Sequence, residues 1–160
     1  MGCNVLIRVK YASLITLLGC LCLICTGIAA QPSQRSLLLV CSADANLESL
    51  SHAEVRKIFL GVPVTKGQVR LRPLLNSTDP LATDVFLQQV VFMSRREYER
   101  QLLSRVFRLG DPRPPEYDEI DSLVEDLLDT PGSLSFMWSE QLESHAGLKS
   151  LGILWKSSNN

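Results

Sequence analysis

Two helix starts are encoded in this sequence in the same way, and they constrain the fold more than any other feature. Ser51 and Glu54 stand three residues apart, as do Ser94 and Glu97. Each pair matches the capping-box pattern that opens an α-helix, and a glycine follows each pair at a distance where a helix can end. Short apolar runs lie between and around these helices. The chain is therefore predicted to alternate strands and helices as an α/β fold.

Four segments have the pattern of β-strands. The continuous apolar run at 36–41 is typical of a strand that is buried on both faces. Residues 68–75 alternate apolar and basic side chains, and Pro73 requires that this strand ends there or lies at a sheet edge. Two further strands are predicted at 133–138 and 151–155. Together they predict a small mixed sheet flanked by helices.

Further helices are predicted by caps and by apolar stripes. Asp79 as N-cap and Pro80 at the first helical position are both favoured where a helix begins. A last helix is predicted at 118–129 from its apolar period. The residues expected to point inward are Leu81, Val85, Phe86 and Val90 in the helix after Pro80, and Tyr98, Leu102, Val106 and Phe107 in the helix after Ser94.

The N-terminal residues have the order of a secretory signal peptide. Two basic residues and no acidic one precede an apolar run at 12–28, and small residues end at Ala30. This predicts a signal peptide at 1–30, cleavage after Ala30, and a folded periplasmic or secreted domain at 31–160. The alternative is an uncleaved inner-membrane anchor, since the apolar segment is just long enough to span a bilayer.

The charge argues against a nucleic-acid-binding protein, and the cysteine content argues against a fold held by disulfides. The sequence has 16 basic and 17 acidic residues; Arg8 and Lys10 lie in the predicted signal peptide, which leaves 14 against 17 and a net charge of −3. This balance gives no footprint for binding nucleic acid. Only Cys41 lies outside the signal peptide, so no internal disulfide is expected, and this thiol is interpreted as a small buried hydrophobic residue.

The sequence offers no pattern for catalysis or for metal binding. His52 and His145 are far apart, and no His-x-x-His or Glu-x-x-His pair is present. No Gly-x-Ser-x-Gly segment marks a nucleophile. We therefore predict that the protein is not an enzyme, with no catalytic residues, no metal and no cofactor.

One loop is a candidate ligand site. Asn76, Ser77 and Thr78 precede a helix start and follow a predicted strand, which is where binding sites lie in open α/β sheets. Side-chain donors and backbone N–H groups at a helix start can hold an anion, and Arg72 flanks the same loop. The two interpretations are an oxyanion site formed by Arg72, Asn76, Ser77 and Thr78, and a plain capped helix start.

Three segments resemble the PstS-like phosphate-binding proteins of ABC transporters. Residues 50–61, "LSHAEVRKIFLG", resemble that family's segment Leu-Ser-x-x-Glu-hydrophobic-x-x-Ile-Phe-x-Gly. Residues 104–115 and 130–138, "SRVFRLGDPRPP" and "TPGSLSFMW", are similar to matching parts of short secreted relatives. The resemblance covers nearly all of the predicted domain in the right order. It implies a type 2 periplasmic-binding-protein lobe, with this chain holding one lobe where full-length members have two.

The resemblance also implies a difference at the candidate site. Phosphate binders carry an Asp-Gly-Ser-Gly-Thr-like loop at the position of "NSTDP", residues 76–80. Here hydroxyl donors are kept but the glycines are absent. The Asp79 carboxylate would repel a fully ionised oxyanion, and Pro80 removes one N–H from the helix start.

Two functions follow from the resemblance. The first is a secreted solute-binding-like protein that captures phosphate or another small oxyanion weakly, because one lobe has no second jaw. The affinity would be weak unless a second chain in a homodimer, or a partner protein, completes the cleft. The alternative is a periplasmic interaction module that has lost the ligand and docks on a membrane sensor or transporter.

Overall fold

A computed structural model describes residues 35–157, so the predicted signal peptide lies outside the described residues. The first half contains β1 (Ser36–Ser42), α1 (His52–Phe59), β2 (Thr65–Lys66), β3 (Val69–Arg70), β4 (Arg72–Pro73), β5 (Leu75–Asn76), α2 (Pro80–Phe86) and a π-helical turn (Leu87–Val91). The second half contains α3 (Arg95–Leu109), β6 (Glu116–Tyr117), α4 (Ile120–Asp129), β7 (Ser133–Trp138), α5 (Ser139–Glu143) and β8 (Leu148–Lys156). No helix among these residues is long and apolar enough to cross a membrane.

The main sheet has four strands in the order β4-β7-β1-β8. Strand β1 is antiparallel to both of its neighbours, with Leu39 opposite Phe136 on β7 and opposite Gly152 on β8. Strand β4 pairs parallel to β7, so the sheet is mixed. Two small ladders, β2 with β3 and β5 with β6, lie outside it. The predicted α/β fold with a small mixed sheet flanked by helices is confirmed.

Strand β1 carries the core on both faces, as its continuous apolar run predicted. Leu37 and Leu39 pack into a cluster that contains a group of three phenylalanines. Val40 points to the opposite face, where it joins Leu123 and Leu127 of α4. The three phenylalanines are Phe59, Phe86 and Phe136, with ring centroids 4.6 Å apart for Phe59 and Phe86 and 4.0 Å for Phe86 and Phe136. Cys41 is fully buried, as expected.

The local helix signals are present as hydrogen bonds. Both predicted capping boxes form, at Ser51 with Glu54 and at Ser94 with Glu97. Glycines follow the helix ends with positive φ, a conformation that glycine adopts without steric cost. Asp79 caps α2, and its carboxylate accepts the N–H of Leu81.

The predicted strand at 68–75 is broken into three two-residue strands. The N–H of Leu71 donates to Val64 in the β2–β3 hairpin, whereas the next N–H, of Arg72, donates to Gly132 beside β7. The chain therefore changes its pairing partner within one residue, which ends each ladder early. Pro73 ends β4, which is the edge strand of the main sheet, as predicted.

Two residues that we expected to point inward are exposed. Leu81 is 54% exposed, because α2 instead buries Ala82, Thr83 and Phe86 against the sheet. Phe107 is 85% exposed, because α3 buries only residues of its first two turns, and its last turns extend past the core. Apolar period alone predicted both side chains as buried, and both predictions are wrong.

Candidate functional site

Asn76, the last residue of β5, fastens the candidate loop to the main sheet. Its side chain is fully buried, and its Nδ2 donates to the carbonyl of Phe136 at 2.9 Å. Its Oδ1 accepts both the backbone N–H of Thr78 at 3.0 Å and the hydroxyl of Thr78 at 2.7 Å. The amide of Asn76 therefore holds the loop in shape, and its donor is directed into the protein.

The two predicted hydroxyl donors are engaged within the protein. The Ser77 hydroxyl donates to the carbonyl of Tyr117 at 2.9 Å, and the Thr78 hydroxyl donates to Asn76. A hydroxyl has one hydrogen to donate, so neither has a donor left for an oxyanion in this arrangement. The predicted residues Asn76, Ser77 and Thr78 thus form one hydrogen-bonded loop.

Asp79 places a carboxylate at the start of α2. One oxygen accepts the N–H of Leu81 at 2.8 Å, and the other accepts the indole N–H of Trp138 at 2.7 Å. Partial burial acts to raise the pKa of this carboxyl, but the hydrogen bonds and the nearby Arg35 outweigh it and hold the pKa below its ordinary value. The helix start, which can attract an anion, is occupied by the protein's own anion.

Sequence reasoning missed two residues of this site, Trp138 and Arg35. The Arg35 guanidinium lies 4.4 Å from the centre of the Trp138 ring, and its Nη2 is 3.8 Å from the Asp79 carboxylate. Trp138 ends a predicted strand, and that position at a strand end was a usable signal. Arg35 belongs to no motif, so its position beside Trp138 could not be predicted from the sequence.

The fourth predicted residue, Arg72, lies on β4 and takes no part in the hydrogen bonds that close the loop. Its exposed side chain lines an open cleft of about 400 Å³, here called the arginine cleft. Among the described residues, no hydrogen bond or ion pair joins Arg72 to Asn76, Ser77 or Thr78. The other residues that line the cleft are Arg70, Arg113, Asp111, Ile58, Gly61, Val62, Leu71 and five prolines.

The described side chains offer no cluster for a metal ion. No group of three or more His, Cys, Asp or Glu side chains comes together between residues 35 and 157. Nε2 of His52 lies 3.1 Å from the carbonyl of Leu154, and Nδ1 of His145 lies 2.6 Å from that of Gln141. Both histidines therefore contact main-chain carbonyls and fasten segments of the fold.

The raised pKa of Tyr117, which lies outside the core, also has a structural explanation. The hydroxyl of Tyr117 donates to the carboxylate of Asp126, and this bond raises the pKa of Tyr117 to about 12. Thr130 donates to the same carboxylate at 2.6 Å, which helps to lower its pKa. These hydrogen bonds join β6 to α4.

Helix α3 presents an exposed stripe of mixed character, here called the α3 stripe. Its members are Arg96, Arg100, Leu103 and Phe107, at the i, i+4, i+7 and i+11 positions of one helix face. Leu103 is 42% and Phe107 is 85% exposed. An exposed aromatic side chain on the same helix face as two arginines is the kind of surface that protein interfaces use.

Comparison with known proteins shows a similarity of fold. No family model matches the chain, and no curated protein matches it. Among solved structures, the chain is similar to PstS from Borrelia burgdorferi, with a TM-score of 0.51 and 11% sequence identity. The match covers 74% of this chain and 47% of that chain, so this chain spans about half the length of the structure that it matches. The fold is that of a single periplasmic-binding-protein-like lobe.

Proposed function

We propose that this chain is an exported, non-enzymatic lobe of the solute-binding type that acts as an interaction module. It docks on a membrane transporter or sensor through the α3 stripe. The observation that carries this proposal is the exposure of Phe107, 85%, on a helix face that it shares with two arginines. The likeness of fold to PstS supports descent from a solute-binding lobe.

The closed state of the candidate loop favours docking over ligand capture. Asp79 already satisfies the N–H of Leu81 and the indole of Trp138. An oxyanion in the same place would meet a carboxylate of the same charge and would have to break these bonds. Like charges at contact distance cost more than such hydrogen bonds return.

The α3 stripe has the composition of an interface centre. Aromatic side chains and arginines are enriched among the residues that contribute most to protein–protein affinity. Arg96 and Arg100 lie about two turns and one turn before Leu103, and Phe107 lies one turn after it, so a basic end is followed by an apolar end on one face. The matching partner surface is an apolar groove with acidic side chains at one end.

Cross-linking in cells that export the protein tests this surface. A photoreactive phenylalanine at position 107 should give one main adduct with a membrane protein, whereas the same residue at Leu81, 54% exposed on α2, should not. In a binding assay between this protein and the cross-linked membrane protein, both purified, Phe107→Ala should weaken the affinity at least tenfold and Leu81→Ala less than twofold. Equal adducts at both positions, or unchanged affinity in Phe107→Ala, would refute docking at this stripe.

Export and cleavage are part of the proposal and have their own test. Mass spectrometry of the protein recovered from the periplasm should give a chain that begins at Gln31. A chain that keeps residues 1–30 and stays in the membrane fraction would support the anchored alternative instead.

Weak capture of phosphate or another small oxyanion is the second candidate function. The observation in its favour is the positive charge of Arg35, 3.8 Å from Asp79, which an anion would meet if the carboxylate moved away. Asn76, Ser77, Thr78 and Arg72 would then serve as ligand contacts after their side chains reorient.

Isothermal titration with phosphate tests this second function. Saturable heat that disappears in the double variant Ser77→Ala/Thr78→Ala would support it, and absence of heat at millimolar phosphate would reject it. Sedimentation with and without phosphate shows whether two chains form a homodimer that supplies the second jaw.

A further inference from the structure

The arginine cleft is a separate concave site on the same lobe. The segment that follows α1 and strands β3 and β4 form one wall, and the proline-rich segment before β6 forms the other. Its volume of about 400 Å³ falls within the range of small-molecule sites. Neither the α3 stripe nor the loop at residues 76–79 contributes to it.

Arg105 holds the two walls at a fixed spacing. Its Nη2 donates to the carbonyl of Gly61 at 2.8 Å on one wall and to the carboxylate of Asp111 at 2.6 Å on the other. The contact with Gly61 is close, since a Cβ on that residue would lie 2.8 Å from Nε of Arg105. The cleft is therefore preformed, and the single acidic charge in its lining is paired.

The unpaired charge of the cleft is positive. Arg70 and Arg72 are exposed, and no acidic side chain among residues 35–157 forms an ion pair with either. Arg113, in contrast, is bound to Glu99. Arg70 and Arg72 thus place two exposed guanidinium groups at one wall. The charge of Arg72 adds to the hydrogen bonds from Thr130 and Tyr117 that lower the pKa of Asp126, without an ion pair between them. Guanidinium groups bind carboxylate and phosphate oxygens through paired N–H donors.

The rest of the lining is apolar and poor in donors. Five prolines line the cleft, and a proline has no backbone N–H to offer. Val62 and Leu71 add further hydrocarbon surface. A ligand that uses the whole cleft must therefore combine a charged head with an apolar body.

We infer that the arginine cleft binds a small organic anion. The oxyanion head of the ligand, a carboxylate or a phosphate, lies against Arg70 and Arg72, and its apolar or aromatic body lies on the prolines. Inorganic phosphate has the head without the body, so it leaves the apolar part of the cleft in water. This site is independent of docking through the α3 stripe.

Amide NMR titrations of the purified protein test the inference with four probes: phenyl phosphate, benzoate, inorganic phosphate and phenol. At constant ionic strength, phenyl phosphate or benzoate should shift the amides of Val62 and Leu71 saturably. Inorganic phosphate and phenol should bind at least tenfold more weakly than the better of these two. Whichever of the two organic anions binds more tightly shows whether the cleft prefers a phosphate or a carboxylate head.

Matched variants separate specific binding from general charge. Arg70→Gln/Arg72→Gln should weaken binding at least tenfold, whereas Arg108→Gln/Lys156→Gln removes two exposed charges elsewhere and should change it less than twofold. Unchanged spectra far from the cleft show that each variant is folded. The inference is overturned by equal affinity for inorganic phosphate and phenyl phosphate, by shifts confined to residues 77–82, or by no saturable shift.

Discussion

The indole N–H of Trp138 donates to the carboxylate of Asp79 at 2.7 Å, between residues 59 positions apart in the chain. The bond joins the end of β7 to the start of α2. The same carboxylate caps α2 through the N–H of Leu81. A helix start that can serve as an anion site is thereby made part of the fold.

We predict that Asp79→Ala destabilises the protein by about 2–4 kcal/mol. Loss of an N-cap costs about 1 kcal/mol, and a buried indole N–H without an acceptor costs about 1–3 kcal/mol. Asp79→Asn keeps an oxygen acceptor and should cost less. Urea unfolding measures the free energy of unfolding, with Asp84→Ala, an exposed aspartate on the same helix, as the control. A loss in Asp79→Ala no larger than in the control would contradict the prediction.

The stabilisation by Asp79 should decrease as the pH falls. Its pKa is lower in the folded state than its ordinary value, so the stabilisation is fully present above the unfolded-state pKa of about 4. It is lost as the pH falls through the lower folded-state pKa. The difference in unfolding free energy between wild type and Asp79→Asn should be constant above about pH 5 and shrink below about pH 4. A difference that stays constant down to pH 2 would show that this carboxyl is not stabilised in its charged form.

Substitution by alanine should have a large effect on stability at one phenylalanine and almost none at another. Phe86 is fully buried and stacks on Phe136, so Phe86→Ala should lower the free energy of unfolding by about 3–5 kcal/mol. Phe107 is 85% exposed, and Phe107→Ala should change it by less than about 0.5 kcal/mol. Thermal and urea unfolding of both variants check this. A large loss in Phe107→Ala would mean that this side chain packs within the lobe and is not free for a partner.

Gly61 and Gly67 provide a matched test of the clamp formed by Arg105. Both have positive φ, and alanine should cost about 1 kcal/mol in each from backbone strain. At Gly67 nothing lies within 4 Å of an added Cβ, whereas at Gly61 it would displace Arg105. Gly61→Ala should therefore cost at least about 1 kcal/mol more.

The substitution Gly61→Ala can also be tested through the affinity of the cleft for its ligand. Gly61→Ala should weaken binding of the better organic anion to the arginine cleft, and Gly67→Ala should leave it unchanged. If the two variants have the same unfolding free energy and the same affinity, Arg105 does not set the spacing of the cleft walls.

The sequence by itself determined the features in which the interacting residues are close in the chain. A capping box joins residues three apart, as at Ser51 and Glu54, and a buried central strand shows as a continuous apolar run, as in β1. These local signals, taken in chain order, were sufficient to predict an α/β fold. The sequence also predicted that Pro73 ends its strand or lies at a sheet edge, because a residue without an N–H cannot pair inside a central strand, and both hold in β4.

Only the tertiary structure decided what the candidate site is. The capping role of Asp79 is local, but its bond to Trp138 depends on how β7 is placed beside α2. The separation of Arg72 from Ser77 and the exposure of Phe107 likewise depend on where neighbouring elements end. Hydrogen bonds and burial between distant segments leave no periodic pattern in either segment, so the sequence located the loop and the fold determined which groups fill it.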